Sequence, residues 1–264
     1  MICECLKKDG VRCHYRARPS SPFCGIHKNC KPHEPKPGHA SWEKITQRYG
    51  HPFYSREMGG GGDCLYYSLL GGIQDLFRYY KPDHPVLDTL RTKDVSSMRR
   101  WMSRDIDRKG FLENLRAVNT DPKDIPTILK TGFRDEGYWY GYGFTEEETQ
   151  EIRKAKTLDG ALRVARRIKE RSDCWGSLYD VLMFEKKTGI RVVMLQEHDN
   201  RIFYCKASET TRPLYVLLLY NIDETHYQLG GIRVKNNEIR SAFRPKDVPL
   251  WFREAFKKEC HSEI

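Results

Sequence analysis

The 264-residue sequence has no apolar run long enough to cross a bilayer. Its longest clean apolar stretch, residues 214–220, is about a third of the ~20 residues that a transmembrane helix needs. No apolar segment follows Met1, so no secretory signal is predicted. We therefore expect an intracellular, cytoplasmic protein whose nine cysteines act as thiols, metal ligands or a nucleophile rather than as disulfides.

Disorder along the whole chain is also excluded, because hydrophobic residues make up 39% and aromatic residues 12% of the sequence. The net charge of +10 is unevenly spread: the first 40 residues carry eight Lys or Arg and three Asp or Glu. Such a basic segment favours weak attraction to an acidic partner such as nucleic acid. A solvated basic arm without a dedicated partner explains the same excess equally well.

The N-terminal residues differ from the rest of the chain. Residues 1–30 hold five of the nine cysteines, and residues 31–40 hold three prolines and a glycine, which is typical of an extended linker. We predict a small module at 1–30, a proline-rich linker at 31–40 and one larger domain at 41–264. Three thiolates and one imidazole suit tetrahedral zinc, and the predicted ligands are Cys5, Cys13, Cys24 and His27.

The ligand assignment within this module stays open. Cys3, His14 and Cys30 are further candidates, and a flexible arm with reduced cysteines is the alternative to a metal site. If zinc binds, it supplies the folding free energy of a segment too short to form a core. Four filled positions leave no place for water, so the module is expected to recruit a partner rather than to catalyse.

In the larger domain, helical patterns precede strand patterns. Thr145 and Glu148 form a capping-box signature that opens a short helix. The other helical patterns lie at 64–70, 95–108, 111–118, 158–168 and 176–188, and the strand patterns lie at 190–196, 214–220 and 227–234. This order predicts an α+β fold rather than alternating βαβ units.

Cys64 is the first candidate for chemistry, because it follows a run of four glycines and Asp63 and begins a helical segment. Glycines permit a loop whose N–H groups point inward, and the helix dipole is expected to lower the pKa of a thiol at this position. The same amides are expected to stabilise an oxyanion, which gives a candidate oxyanion loop of Gly61, Gly62, Asp63 and Cys64. A buried structural cysteine is the alternative.

His226 is the best-placed partner for such a nucleophile among the nine histidines. It stands at the start of an apolar strand pattern, where a general base is better oriented than in a linker. A histidine that merely caps a strand is the alternative.

Three segments resemble one family of enzymes. Gly62-Asp-Cys-Leu-Tyr-Tyr-Ser68 resembles the nucleophile segment of ovarian-tumour (OTU) cysteine proteases, which are deubiquitinases. Trp175-Gly176, before a helix and a strand, resembles the tryptophan-glycine block of that family, and Thr225-His-Tyr227 resembles its histidine block. The glycine-rich form is most similar to OTU domains of large DNA viruses, whose proteins also contain small Cys/His modules. The resemblance therefore implies a viral protein that acts in the host cytoplasm.

The resemblance implies a papain-like α+β fold and a thiol protease that removes ubiquitin. Cys64 would attack the carbonyl of the ubiquitin C-terminal glycine, and His226 would take the thiol proton and later deliver it to the leaving lysine amine. The implied partners are ubiquitin, polyubiquitin or ubiquitin-like modifiers and their conjugates. The implied chemistry needs no cofactor and no membrane.

The residue that orients His226 is less clear from the family pattern. Many members carry an acidic residue three before the cysteine, which is Gly61 here, and Asp or Asn two after the histidine, which is Gln228 here. The amide oxygen of Gln228 can accept a hydrogen bond from the imidazole, so Gln228 is the predicted orienter. Asp63 and Asp223 are the alternatives.

A function from another class remains open. The chain would then be a catalytically idle module that holds ubiquitin, or a nucleic acid through the basic arm. Binding of nucleic acid through this arm predicts a steep dependence of affinity on salt.

Overall fold

Two parts of the chain that are distant in sequence form one compact unit in the computed structural model. The described residues before Ser96 join Phe184–Ile264, and Ser96–Met183 forms a second unit. The structure describes residues 39–51, 53–117, 120–131, 139–198, 201–207, 212–222, 226–234, 238–261 and 263–264. The predicted module at 1–30 and its ligands Cys5, Cys13, Cys24 and His27 lie outside these residues, as do most of the linker and Asp223.

Helices occur in both units. Within the described residues they are α1 (Trp42–Arg48), α2 (Cys64–Tyr79), α3 (Pro85–Arg91), α4 (Val95–Ser103), α5 (Arg108–Ala117), α6 (Ile125–Thr131), α7 (Glu146–Arg153), α8 (Leu158–Glu170), α9 (Leu178–Thr188) and α10 (Leu250–Cys260). The predicted capping box is confirmed: the Thr145 side chain accepts from the Glu148 N–H, and the Glu148 carboxylate accepts from the Thr145 N–H.

The strands of the first unit pair into one mixed sheet. They are β1 (His39–Ala40), β2 (Phe53–Arg56), β3 (Ile190–His198), β4 (Arg201–Ala207), β5 (Tyr215–Ile222), β6 (His226–Arg233), β7 (Ile239–Arg240) and β8 (Ala242–Phe243). The order is β1-β4-β3-β5-β6-β2, with β7 on β6 and β8 on β5. The β3–β5 pair is parallel, whereas β2 and β5 both run antiparallel to β6. The predicted α+β fold and the three predicted strands are confirmed, and β2 and β4 are strands that the sequence patterns did not indicate.

The sheet is covered on both faces, which explains why β5 reads as a continuous apolar run. On one face, α1 and α10 enclose a core that contains Val216 and Leu218 of β5. The rings of Trp42 and Phe256 stack there with centroids 6.1 Å apart. The alternate residue Leu217 meets α2 on the other face, at Gly72. This packing fixes α2 against the strands that carry His226.

The unit Ser96–Met183 has its own interior. Five aromatic rings pack together with centroids 4.3–6.3 Å apart: Phe111, Trp139, Tyr142, Phe144 and Tyr179. A buried ion pair joins Lys169 Nζ to Asp180 Oδ2 at 2.8 Å. Buried charges need such partners, because an isolated charge in a protein interior is strongly destabilising.

Two general expectations can be compared with the described residues. None of the helices there has the length and apolar character needed to span a membrane, and no three His, Cys, Asp or Glu side chains there come together as a metal site. The expectation of reduced cysteines holds for Cys64 and Cys174, which are free. It is wrong for Cys260, which takes part in a disulfide bond.

Candidate active site

Cys64 is the first residue of α2, as its position after the glycine run predicts. A short 3₁₀ turn, Gly61–Asp63, leads into the helix. The backbone φ angles of Gly59 and Gly61 are +145° and +68°, a region that side chains other than glycine's disfavour. The glycines therefore let the chain turn sharply and place Cys64 at the helix N-terminus, where the residue is 1% exposed.

Strand β6 brings the predicted histidine to this cysteine. The backbone N–H of Tyr227 donates to Cys64 Sγ at 3.5 Å. The Ser68 hydroxyl donates to the Cys64 carbonyl at 2.9 Å and lies 3.4 Å from the Tyr227 carbonyl oxygen, so it links α2 to β6. The structure thus brings together Cys64 and His226, the residue just before Tyr227.

Glu57 is the acidic partner of the histidine, and sequence reasoning did not single it out. Its Oε2 lies 2.6 Å from His226 Nε2. The contact follows from strand register: β2 and β6 are antiparallel with Arg56 opposite Leu229, so Glu57, which follows the last residue of β2, comes beside Gln228 of β6. No sequence pattern had indicated β2 (Phe53–Arg56), so this pairing had no signal in the sequence analysis.

Gln228 binds the same carboxylate. Its amide nitrogen Nε2 donates to Glu57 Oε2 at 3.0 Å, and the Gly59 N–H donates to Glu57 Oε1 at 3.1 Å. The hydrogen bond with His226, assisted by those from Gly59 and Gln228, lowers the pKa of Glu57. The amide of Gln228 therefore contacts Glu57, while the sequence analysis assigned its oxygen to the imidazole. That oxygen, Oε1, is buried without a hydrogen-bond partner among the described residues.

This contact selects the tautomer of His226. A carboxylate that stays ionised to low pH can only accept a hydrogen bond, so Nε2 of the imidazole must donate. A neutral ring with its proton on Nε2 has Nδ1 as its acceptor atom. Glu57 therefore holds the Nε2 side of the ring and leaves Nδ1 as the nitrogen able to accept a proton.

The surroundings of Cys64 disfavour the charged form of its thiol. Burial raises its pKa, and the negative charge of Glu57 raises it further, against the opposing effect of the N–H groups of Tyr227 and Leu65. The expectation that the helix N-terminus lowers the pKa is wrong here, because desolvation of the buried thiolate outweighs the helix dipole.

The predicted oxyanion loop is folded into the 3₁₀ turn. The Cys64 N–H donates to the Gly61 carbonyl oxygen, so this N–H becomes an oxyanion donor only if the turn opens. Gly62 is buried within the same turn, and Asp63 is the N-cap residue of α2. The oxyanion role of this loop and the orienting role of Asp63 stay predictions.

Comparisons with known proteins found matches among solved structures. No protein-family model and no curated protein sequence matches it. Among solved structures, an OTU domain in complex with ubiquitin is 10% identical, with a TM-score of 0.40, and the match covers 82% of this chain and 86% of that one. The viral OTU domain protease of Farallon virus is 11% identical, with a TM-score of 0.37 and coverage of 70% and 86%. An OTU deubiquitinase from Wolbachia pipientis wMel is 11% identical, with a TM-score of 0.36 and coverage of 70% and 91%.

Proposed function

We propose that this protein is a thiol-dependent deubiquitinase with a papain-like OTU fold. The observation that carries the proposal is the arrangement of Cys64 at the start of α2 beside β6, whose first residue His226 is hydrogen-bonded to Glu57. A nucleophile, a base and a group that orients the base are the three parts of nucleophilic acyl transfer. The assignment of ubiquitin as substrate rests on the resemblance of the three sequence segments to OTU proteases.

The reaction proceeds in two steps. His226 Nδ1 takes the proton of the Cys64 thiol as the sulfur attacks the carbonyl carbon of the isopeptide bond. The C–N bond then breaks, His226 gives its proton to the leaving lysine amine, and ubiquitin stays on Cys64 as a thioester. In the second step His226 deprotonates a water molecule, which attacks the thioester and releases the ubiquitin carboxylate and the free thiol.

Glu57 assists whenever the imidazole is charged. The imidazolium forms with its Nε2–H already directed at an ionised carboxylate 2.6 Å away, so the positive charge is stabilised without rearrangement. A buried thiol whose pKa is raised needs a base to take its proton, and Glu57 stabilises the charged form of that base. The Cys64 N–H donates to the Gly61 carbonyl oxygen in the 3₁₀ turn, so its use as an oxyanion donor would require this turn to open.

A ubiquitin probe with an electrophilic C-terminus tests the proposal, because it becomes covalently bound only to a competent thiol. The unmodified protein should be labelled once, and Cys64→Ala should abolish labelling. Cys174→Ala is the matched control, since Cys174 is also free and buried and burial raises its pKa to about 11. It should be labelled like the unmodified protein.

His226→Ala should slow labelling strongly, because the base is removed while the thiol remains. The melting temperatures of all variants should be compared, so that loss of reaction is not confused with loss of fold. An unmodified, folded protein that is not labelled would contradict the proposed function.

A further inference from the structure

The carboxylate of Glu57 is held from two sides. Gly59 N–H donates to Oε1, and the Gln228 amide donates to Oε2, the oxygen that also binds His226. The Glu57 side chain is 55% exposed, and the terminal torsion of a glutamate is intrinsically broad. Without these two donors the carboxylate would rotate through orientations that do not meet the imidazole.

Gln228 and Glu57, the partners of the amide–carboxylate hydrogen bond, differ in how their backbones are paired. Gln228 lies within β6, opposite Tyr220 of β5, and it shares a face of the strand with His226 because the two are two residues apart. Glu57 lies one residue beyond the end of β2, in the segment that leads to the glycine turn. The Gln228 amide is therefore held by a strand that is paired with its neighbours. The Glu57 carboxylate lies at the start of a loop, and its position follows that of the amide.

From this arrangement we infer that Gln228 is a positioning residue, which acts on His226 by fixing the Glu57 carboxylate and does not act on the imidazole itself. The inference rests on the proposed function for its catalytic consequence. Its essential group is the donor nitrogen, in contrast to the acceptor oxygen that the sequence pattern suggested. A side chain of the same length without a donor at position 228 should leave the Glu57 carboxylate present and ionised. The carboxylate should then no longer be oriented towards the His226 imidazole.

Turnover of a fluorogenic ubiquitin amide tests this reasoning. Gln228→Met keeps the length and removes the donor, and it should lower kcat by ~10-fold with little change in KM, because one hydrogen bond to a charged group is lost and no substrate contact is involved. Gln228→Lys restores a donor and should recover most of the lost kcat. Gln150→Met is the matched control, since Gln150 makes a similar hydrogen bond to Glu146 at 2.7 Å, and it should leave kcat unchanged.

A double-mutant comparison separates the two possible routes of action. If Gln228 acts through Glu57, then Gln228→Met should cause no further loss of kcat in a Glu57→Ala protein. An equal loss in both backgrounds, or no loss in either, would overturn the inference.

Nitrogen NMR of the resting protein gives a readout that needs no ubiquitin. The His226 imidazole should carry its proton on Nε2, and Gln228→Met and Glu57→Ala should both shift the population toward the other tautomer. A shift in Glu57→Ala alone would mean that Gln228 does not position the carboxylate, and this also counts against the inference. Because the tautomer is measured without substrate, failure of the inference remains distinguishable from failure of the proposed deubiquitinase activity.

Discussion

Substitution of Gly72 by alanine should destabilise the protein, because α2 approaches the sheet through this glycine. An added Cβ would overlap the Cδ1 atom of Leu217 and lie 2.9 Å from its Cδ2 atom and 3.0 Å from its Cγ atom. Leu217 is fully buried in β5, so its side chain has little room to give way. Overpacking of this kind costs ~1–3 kcal/mol, and the severe overlap favours the upper end.

The gain in helix propensity opposes this cost. Alanine is better than glycine within a helix by about 1 kcal/mol, so the net loss for Gly72→Ala is expected to be ~2 kcal/mol, or about 4–8 °C in Tm. Labelling of Cys64 by the ubiquitin probe should also slow, because α2 must lift away from the strands that it contacts.

Two other glycines, Gly71 and Gly60, serve as controls. At Gly71 an added Cβ would lie 2.5 Å from the terminal Cε of Met58, the flexible end of a half-buried side chain, so Gly71→Ala should cost less than Gly72→Ala. At Gly60 nothing lies within 4 Å of the added atom, so Gly60→Ala should leave the stability nearly unchanged. Thermal unfolding of the three variants measures the order. A Gly72→Ala protein as stable as Gly60→Ala would refute the reasoning.

Three further predictions concern charge and metal. Glu57→Gln should lower the free energy of unfolding at neutral pH, because the folded-state pKa of Glu57 is lowered. The difference from the unmodified protein, measured by urea unfolding, should shrink as the pH falls below the ordinary glutamate value and vanish below the folded-state pKa. Asp180→Asn should cost ~3–5 kcal/mol, because it leaves the buried charge of Lys169 uncompensated. Asp159→Asn, which breaks an exposed ion pair, should cost less than ~1 kcal/mol in the same assay. Elemental analysis should find one zinc per chain, bound by residues 1–30, and chelation should leave the probe reaction intact; a preparation without zinc would contradict the proposed module.

Local sequence signals were sufficient to predict the proposed nucleophile, Cys64, and the proposed base, His226. The glycine run before Cys64 predicted a turn and a helix start, and the apolar strand after His226 predicted a rigid support for the base. Both features depend on residues close in sequence, where conformational preferences are strong. The same holds for the capping box of α7 and for the strand at β3.

Glu57 was beyond such signals, because its role depends on pairing over a long distance in the chain. The residue is 169 positions from His226, and β2 is only four residues long and lies at the edge of the sheet. A short edge strand has a weak periodic pattern, and its register is set by its neighbour rather than by its own sequence. The pKa of Cys64 was unpredictable for a related reason, since burial is a property of the packed molecule.

The division of the site-bearing unit into two chain segments has a consequence during synthesis. A nascent chain that has passed Cys64 and the whole of Ser96–Met183 still lacks β6, and with it His226. Contacts between residues so far apart in sequence form late, because the entropy cost of closing a large loop must be met before the contacts can stabilise the chain. Whatever chemistry the Cys64–His226 pair performs therefore has to wait until β6 has been synthesised and has paired with β2 and β5.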